Sequence, residues 1–182
     1  MKRFKQNLRT FAILVLTAIV TTATAADRFV FFDGGDLLIN DGNTLAIYLD
    51  GNDCKGVSIA AENLCRDMKL VTGMTNVQLT DNSGAKNVVG TIGQSKAIDA
   101  LAKKGGIDAK ALQGKREKFI ITTVGNQLVI AGSDRRGTIY GIYELSKQIG
   151  VSPWYYWADT PLEHHSNIYV NNSYIREGTS YY

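Results

Sequence analysis

Residues 119–150 read FIITTVGNQLVIAGSDRRGTIYGIYELSKQIG, and this stretch decides the fold. Two apolar β-type runs, 119–124 and 128–131, are joined through Gly125-Asn126. Such runs around a Gly-Asn pair are the strongest hairpin signal in the chain. Gly132-Ser133-Asp134 then leads into a helix expected over 135–149 and ended by Gly150. Gly137 and Gly141 stand one turn apart within it, so the helix backbone is expected to approach a sheet closely.

On the amino-terminal side, apolar runs at 29–32, 37–39 and 45–49 are separated by Asp33-Gly-Gly and Asp41-Gly, which is strand-and-turn chemistry. Asn52-Asp53 introduces a helix over 56–71. Its Val57, Ala61, Leu64, Met68 and Val71 recur at helical spacing, and Gly73 ends it. Strands are expected at 77–80 and 87–92, on either side of the Asp81-Asn-Ser-Gly84 turn. Ser95 is placed to cap a helix reaching Lys103 and stopped by Gly105-Gly106, and 108–113 adds a further turn or two. Beyond the deciding stretch lie an aromatic run, 154–157, and a last strand at 167–170. Hairpins mixed with β–α crossovers imply an α+β domain, a two-layer mixed β-sheet with its helices mainly on one face.

The chain has 182 residues, 45% of them hydrophobic, which suits one globular domain. Its formal charge of +3 comes from Lys2, Arg3, Lys5 and Arg9. Without those four, sixteen basic residues face seventeen acidic ones, a net charge of −1, so no nucleic-acid footprint is present. Residues 1–25 read as a signal peptide. A basic start precedes the apolar run 11–20, and Ala23-Thr24-Ala25 then supplies a cleavage pattern before Ala26. The apolar run is shorter than the roughly 20 residues a spanning helix needs. Cleavage after Ala25, secretion or periplasmic export, and no membrane association afterwards are therefore expected. Export permits disulfides, but Cys54 and Cys65 flank and enter the first helix. At a helical rise of 1.5 Å per residue they would lie roughly 12–16 Å apart, beyond the ~7 Å that a disulfide spans.

Few residues offer chemistry. Ser133 and Asp134 sit between a strand and a helix, where free backbone N–H groups can cradle an anion, and Arg135 and Arg136 would add charge. The same residues equally describe an N-cap followed by two solvated arginines, which capping preference favours. His164 and His165 are adjacent and would point opposite ways in a strand, so no metal site and no cofactor are expected. Ten of the 17 aromatic residues follow residue 139, and Trp154, Tyr155, Tyr156 and Trp157 are consecutive. Such rings can stack on sugar C–H faces or fill an interface. No pair of carboxylates can be singled out for glycoside hydrolysis.

Residues 133–146 (SDRRGTIYGIYELS) and 150–159 (GVSPWYYWAD), together with the helix 56–73, resemble the N-terminal domain of glycoside hydrolase family 115, the xylan α-1,2-glucuronidases. The resemblance covers about residues 29–170. It implies a hexosaminidase N-terminal-domain-like α+β fold over 26–171, secretion, and removal of (4-O-methyl)glucuronic acid from plant xylan-type polysaccharide. It also implies a partner, a catalytic (β/α)8 barrel that needs about 250 residues. Residues 172–182 are read as the start of a linker towards it. No catalytic residue can be carried over, so the chain is expected to be a non-catalytic accessory domain, a truncated product inactive alone. Ser133, Asp134, Arg135, Arg136, Trp154, Tyr155, Tyr156 and Trp157 are the candidates for substrate or barrel contact. The alternative is a stand-alone carbohydrate-binding module that uses the 154–157 aromatics.

Overall fold

Val124 pairs with Gln127, which leaves Gly125-Asn126 as a two-residue loop with Gly125 at φ +57°. The hairpin strands in this computed structural model are β6 (Phe119–Val124) and β7 (Gln127–Gly132). The structure describes residues 28–40, 44–152, 155–158, 160–171 and 176–178, with 156, 157 and 176–178 described by backbone alone. The expected signal peptide, Trp154 and most of 172–182 lie outside the described residues.

Upstream of the hairpin run β1 (Val30–Phe31), β2 (Leu37–Leu38), β3 (Thr44–Leu49), α1 (Lys55–Thr72), β4 (Asn76–Thr80), β5 (Asn87–Thr91), α2 (Lys96–Lys103) and α3 (Ala109–Leu112). Downstream follow α4 (Arg135–Gln148), α5 (Tyr155–Ala158), β8 (Tyr169–Val170) and β9 (Arg176–Gly178). The main sheet has the order β4-β3-β5-β7-β6-β9, with β4, β3, β5 and β7 parallel, and β6 reversed so that it pairs antiparallel with both β7 and β9. β9 lies in the segment read as the start of a linker. Three residues of that segment thus extend the sheet, because β6 would otherwise present an unpaired edge.

Side chains alternate along β7, and both faces are buried. Leu128 and Ile130 join the core beneath α1 and α4, while Val129 and Ala131 join a second core with Ile98 of α2 and Leu112 of α3. The two long helices share one face, and the short α2 and α3 cover the other. Helices are thus mainly on one face, with a partial third layer opposite. Asn40 closes the domain by linking its two ends. Its side-chain amide donates to the Ser166 carbonyl at 2.8 Å, and its oxygen accepts from the Ile168 N–H at 2.7 Å. These bonds seat β8 between β1 and β2 in a second, three-stranded sheet. Cys54 and Cys65 are free thiols, and burial pushes the Cys65 thiol up to about 11.

Candidate functional site

The carboxyl ends of β3, β5 and β7 lead into the amino ends of α1, α2 and α4, the edge where open parallel sheets commonly bind ligands. Helix α4 is pressed onto the sheet there. A Cβ on Gly132 would collide with the backbone of Thr138, and one on Gly137 with the Lys118 carbonyl. The expected close approach is present, and Gly137 and Gly141 make it possible.

Asp134 caps α4, accepting from the Gly137 N–H at 2.8 Å through one oxygen and from the Glu117 N–H at 2.9 Å through the other. Ser133 ties down the same neighbouring loop. Its hydroxyl accepts from the Lys118 N–H at 2.9 Å, and its own N–H donates to the Lys118 carbonyl at 2.8 Å. Glu117 thereby holds φ +58°, a left-handed conformation uncommon outside glycine. Arg136 forms a 2.7 Å ion pair with Glu117 and donates to the Tyr140 hydroxyl at 2.8 Å. Arg135 is exposed, with its aliphatic stem against Gly56 of α1. Ser133, Asp134 and Arg136 therefore converge on the 117–118 loop while Arg135 turns towards α1, and the helix end is filled by the Asp134 carboxylate. That geometry matches the capping reading of the turn.

A second cluster was not visible in the sequence. Asp53 accepts from the Thr91 N–H at 2.7 Å, the Thr91 hydroxyl at 2.9 Å and the Cys54 N–H at 2.8 Å. The Thr91 and Thr138 hydroxyls are 2.7 Å apart. Each hydroxyl has one proton, and Thr91 gives its proton to Asp53, so Thr138 donates across this contact. Nearby, Asp50 accepts from the backbone of Asn52 and Lys96, each at 3.0 Å, and from the Tyr48 hydroxyl at 3.2 Å. The Asn52 N–H, followed by that of Lys96, holds the Asp50 carboxyl below the ordinary carboxylate range. Carboxylates engaged in this way brace loops; Asp50, held ionised, is poorly suited to donate a proton as a general acid. One cue in the sequence was Thr138, a β-branched polar residue on the same helix face as the two glycines.

Two clefts flank this edge. One, of about 520 Å³, is lined by residues including Asp50, Asp53, Lys55, Ser58 and Asp81. The other, of about 540 Å³, includes Asp99, Gln113 and Ser133. Of the aromatic run, Tyr155 is half-buried and packs against the main core. The histidines diverge: His165 stacks on Phe32 with ring centroids 3.5 Å apart, and His164 lies against Gly73. Among the described residues no group of three His, Cys, Asp or Glu could hold a metal ion. Also among them, no helix is long and apolar enough to cross a membrane. On the outer surface of the long helices, Ile59 and Tyr143 are 48% and 45% exposed, large values for such side chains. The Tyr143 hydroxyl accepts from Asn63 at 3.0 Å across the helix pair.

No protein-family model matches the chain, and no curated protein matches it. Among solved structures it is similar to a family GH115 4-O-methyl-α-glucuronidase, BtGH115A, whose specificity is for decorated arabinogalactans. The two share 33% identity over 79% of this chain, with a TM-score of 0.70. The match covers 18% of that enzyme, so the chain spans under a fifth of its length. Weaker likenesses are to CpGH84D, at 11% identity over 70% of this chain and 21% of that one, with a TM-score of 0.49. A Flavobacterium johnsoniae chitobiase follows at 14% identity, over 66% of this chain and 17% of that one, with a TM-score of 0.41.

Proposed function

We propose that the chain is the non-catalytic N-terminal accessory domain of a secreted family 115 α-glucuronidase, which removes (4-O-methyl)glucuronic acid from xylan-type polysaccharide. The observation that carries this reading is joint likeness in sequence and fold: 33% identity and a TM-score of 0.70 over 79% of the chain. Export rests on the leader, residues 1–25, with cleavage after Ala25. The catalytic groups belong to a barrel outside this domain. The outer face of α1 and α4, where Ile59 and Tyr143 are exposed, is the surface that packs against it. Arg135, its stem against Gly56 of α1, borders that face.

The test is immunocapture of the native product from culture supernatant with an antibody against this domain. The captured protein should be several-fold heavier than residues 26–182 and should release (4-O-methyl)glucuronic acid from glucuronoxylan. Release from decorated arabinogalactan alone would reassign the polymer. Capture without uronic acid release from either polymer overturns the reading.

A further inference from the structure

Loop 114–118 carries three basic residues, Lys115, Arg116 and Lys118, around Glu117. It is fastened to the next basic stretch, Arg135-Arg136, by four interactions: Ser133 to both polar backbone groups of Lys118, Asp134 to the Glu117 N–H, and Arg136 to the Glu117 carboxylate. The fastening holds Glu117 at its left-handed φ of 58°. A non-glycine residue persists there only where its surroundings determine it. The consequence is that two basic segments, seventeen residues apart at Glu117 and Asp134, are held side by side, with Arg135 at the α1 end of the surface they form.

The two segments together hold five cations and two acids, Glu117 and Asp134. Both acids already have partners: Asp134 accepts from two backbone N–H groups, and Glu117 pairs with Arg136. Lys115, Arg116 and Arg135 are exposed. We infer that this surface is a secondary binding site for a polysaccharide bearing uronate carboxylates, resting on the proposed function for the choice of a sugar acid. Guanidinium groups match carboxylates in geometry. Each exposed charge contact is weak and screened by salt. A single small anion therefore gains little here, whereas a chain presenting carboxylates repeatedly engages several cations together. The role would be to retain the polymer near the catalytic domain, outside the catalytic subsites.

The test uses the full chain and affinity electrophoresis in gels containing glucuronoxylan, its carboxyl-reduced form, or a DNA oligonucleotide as the competing polyanion. Retardation is expected in glucuronoxylan at about 20 mM salt, falling at least about tenfold by about 300 mM as screening shortens. Carboxyl reduction should abolish it. Arg116→Glu with Arg135→Glu should abolish it too, while thermal unfolding stays within a few degrees of the parent. Arg116→Lys with Arg135→Lys should keep part of it. No retardation at low salt overturns the inference, as does equal retardation in the reduced polymer or equally tight binding of DNA. If the captured native protein is a glucuronidase but the chain ignores glucuronoxylan, only this inference fails. If the chain binds but the native protein releases no uronic acid, the proposed function fails instead.

Discussion

The Asp67 carboxylate of α1 accepts a 2.8 Å hydrogen bond from the Ser146 hydroxyl of α4, and both residues are buried. Burial holds the Asp67 carboxyl above the ordinary carboxylate range, against the opposing pull of the Ser146 bond. The folded state thus binds this proton more readily than the unfolded chain. The stabilisation is greatest below the unfolded value of about 3.9 and is lost as pH rises through the folded value. Asp67→Asn keeps the acceptor and removes the charge. It should therefore raise the unfolding temperature at pH 7, with the difference from the parent vanishing near pH 3. Thermal scans across pH would read it, and a variant less stable than the parent at pH 7 would reject the assignment. Ser146→Ala should lower stability by about 1–3 kcal/mol at pH 7, because it strands the carboxylate.

Asp50 titrates with the opposite sign. Backbone N–H groups, that of Asn52 foremost, hold its carboxyl low, so its stabilisation is present above about pH 3.9 and is lost as pH falls through the folded value. Asp50→Asn should destabilise the domain by about 1–3 kcal/mol at neutral pH, since an amide oxygen accepts these N–H groups less strongly than a carboxylate. The gap should close in acid. Urea midpoints at pH 7 and pH 3 decide the matter, and a pH-independent gap would show that packing, not charge, is what the residue supplies.

The bridge from Asp53 through Thr91 to Thr138 joins the start of α1, the end of β5 and the first turns of α4. Asp53→Ala leaves the Thr91 N–H and hydroxyl without their acceptor at the head of three elements. A loss of about 2–4 kcal/mol is expected for a buried, charge-assisted cluster. Thr138→Val keeps the shape and removes one hydroxyl, so about 1–2 kcal/mol is expected. Amide exchange at Thr91 supplies the local readout. It should accelerate in Asp53→Ala more than in Thr138→Val, because only Asp53 accepts from that amide. Equal acceleration in both would mean the cluster acts through global stability alone.

Local chemistry was legible and long-range pairing was not. The Gly125-Asn126 hairpin, the Ser95 cap and the Gly73 terminus each depend on a few adjacent residues, and each stands where the sequence puts it. The close approach at Gly137 was also readable, since two glycines one turn apart have few other uses in a helix. The Asp53 bridge spans residues 53, 91 and 138, and no local pattern distinguishes Asp53 from the other turn acids around it. Nor does periodicity reveal that β7 inserts between β5 and β6, which depends on a crossover longer than any pattern window. The fastening of Glu117 escaped for a related reason. A charged loop looks solvated until the cap residue of another element proves to hold it.

Helix α4 offers the sharpest steric test. Alanine at Gly137 should favour the helix by about 1 kcal/mol through propensity alone. In this fold its Cβ would meet the Lys118 carbonyl oxygen, with the carbonyl carbon 2.9 Å away, and those backbone atoms cannot turn aside as a side chain can. The same loop is fixed by Ser133 and Asp134, so yielding at Lys118 would also loosen the Glu117 turn. Gly137→Ala should therefore destabilise the domain by about 1–3 kcal/mol or more despite its propensity. Gly141→Ala meets Ile130 Cγ2 at 2.7 Å and Phe119 Cδ2 at 3.2 Å, side-chain atoms with some freedom to move, and should cost less. Urea unfolding of both variants ranks them. If Gly137→Ala proves neutral or stabilising, the helix does not lie as close to the Lys118 backbone as the fold requires, and the basic surface built on that loop loses its rigid support.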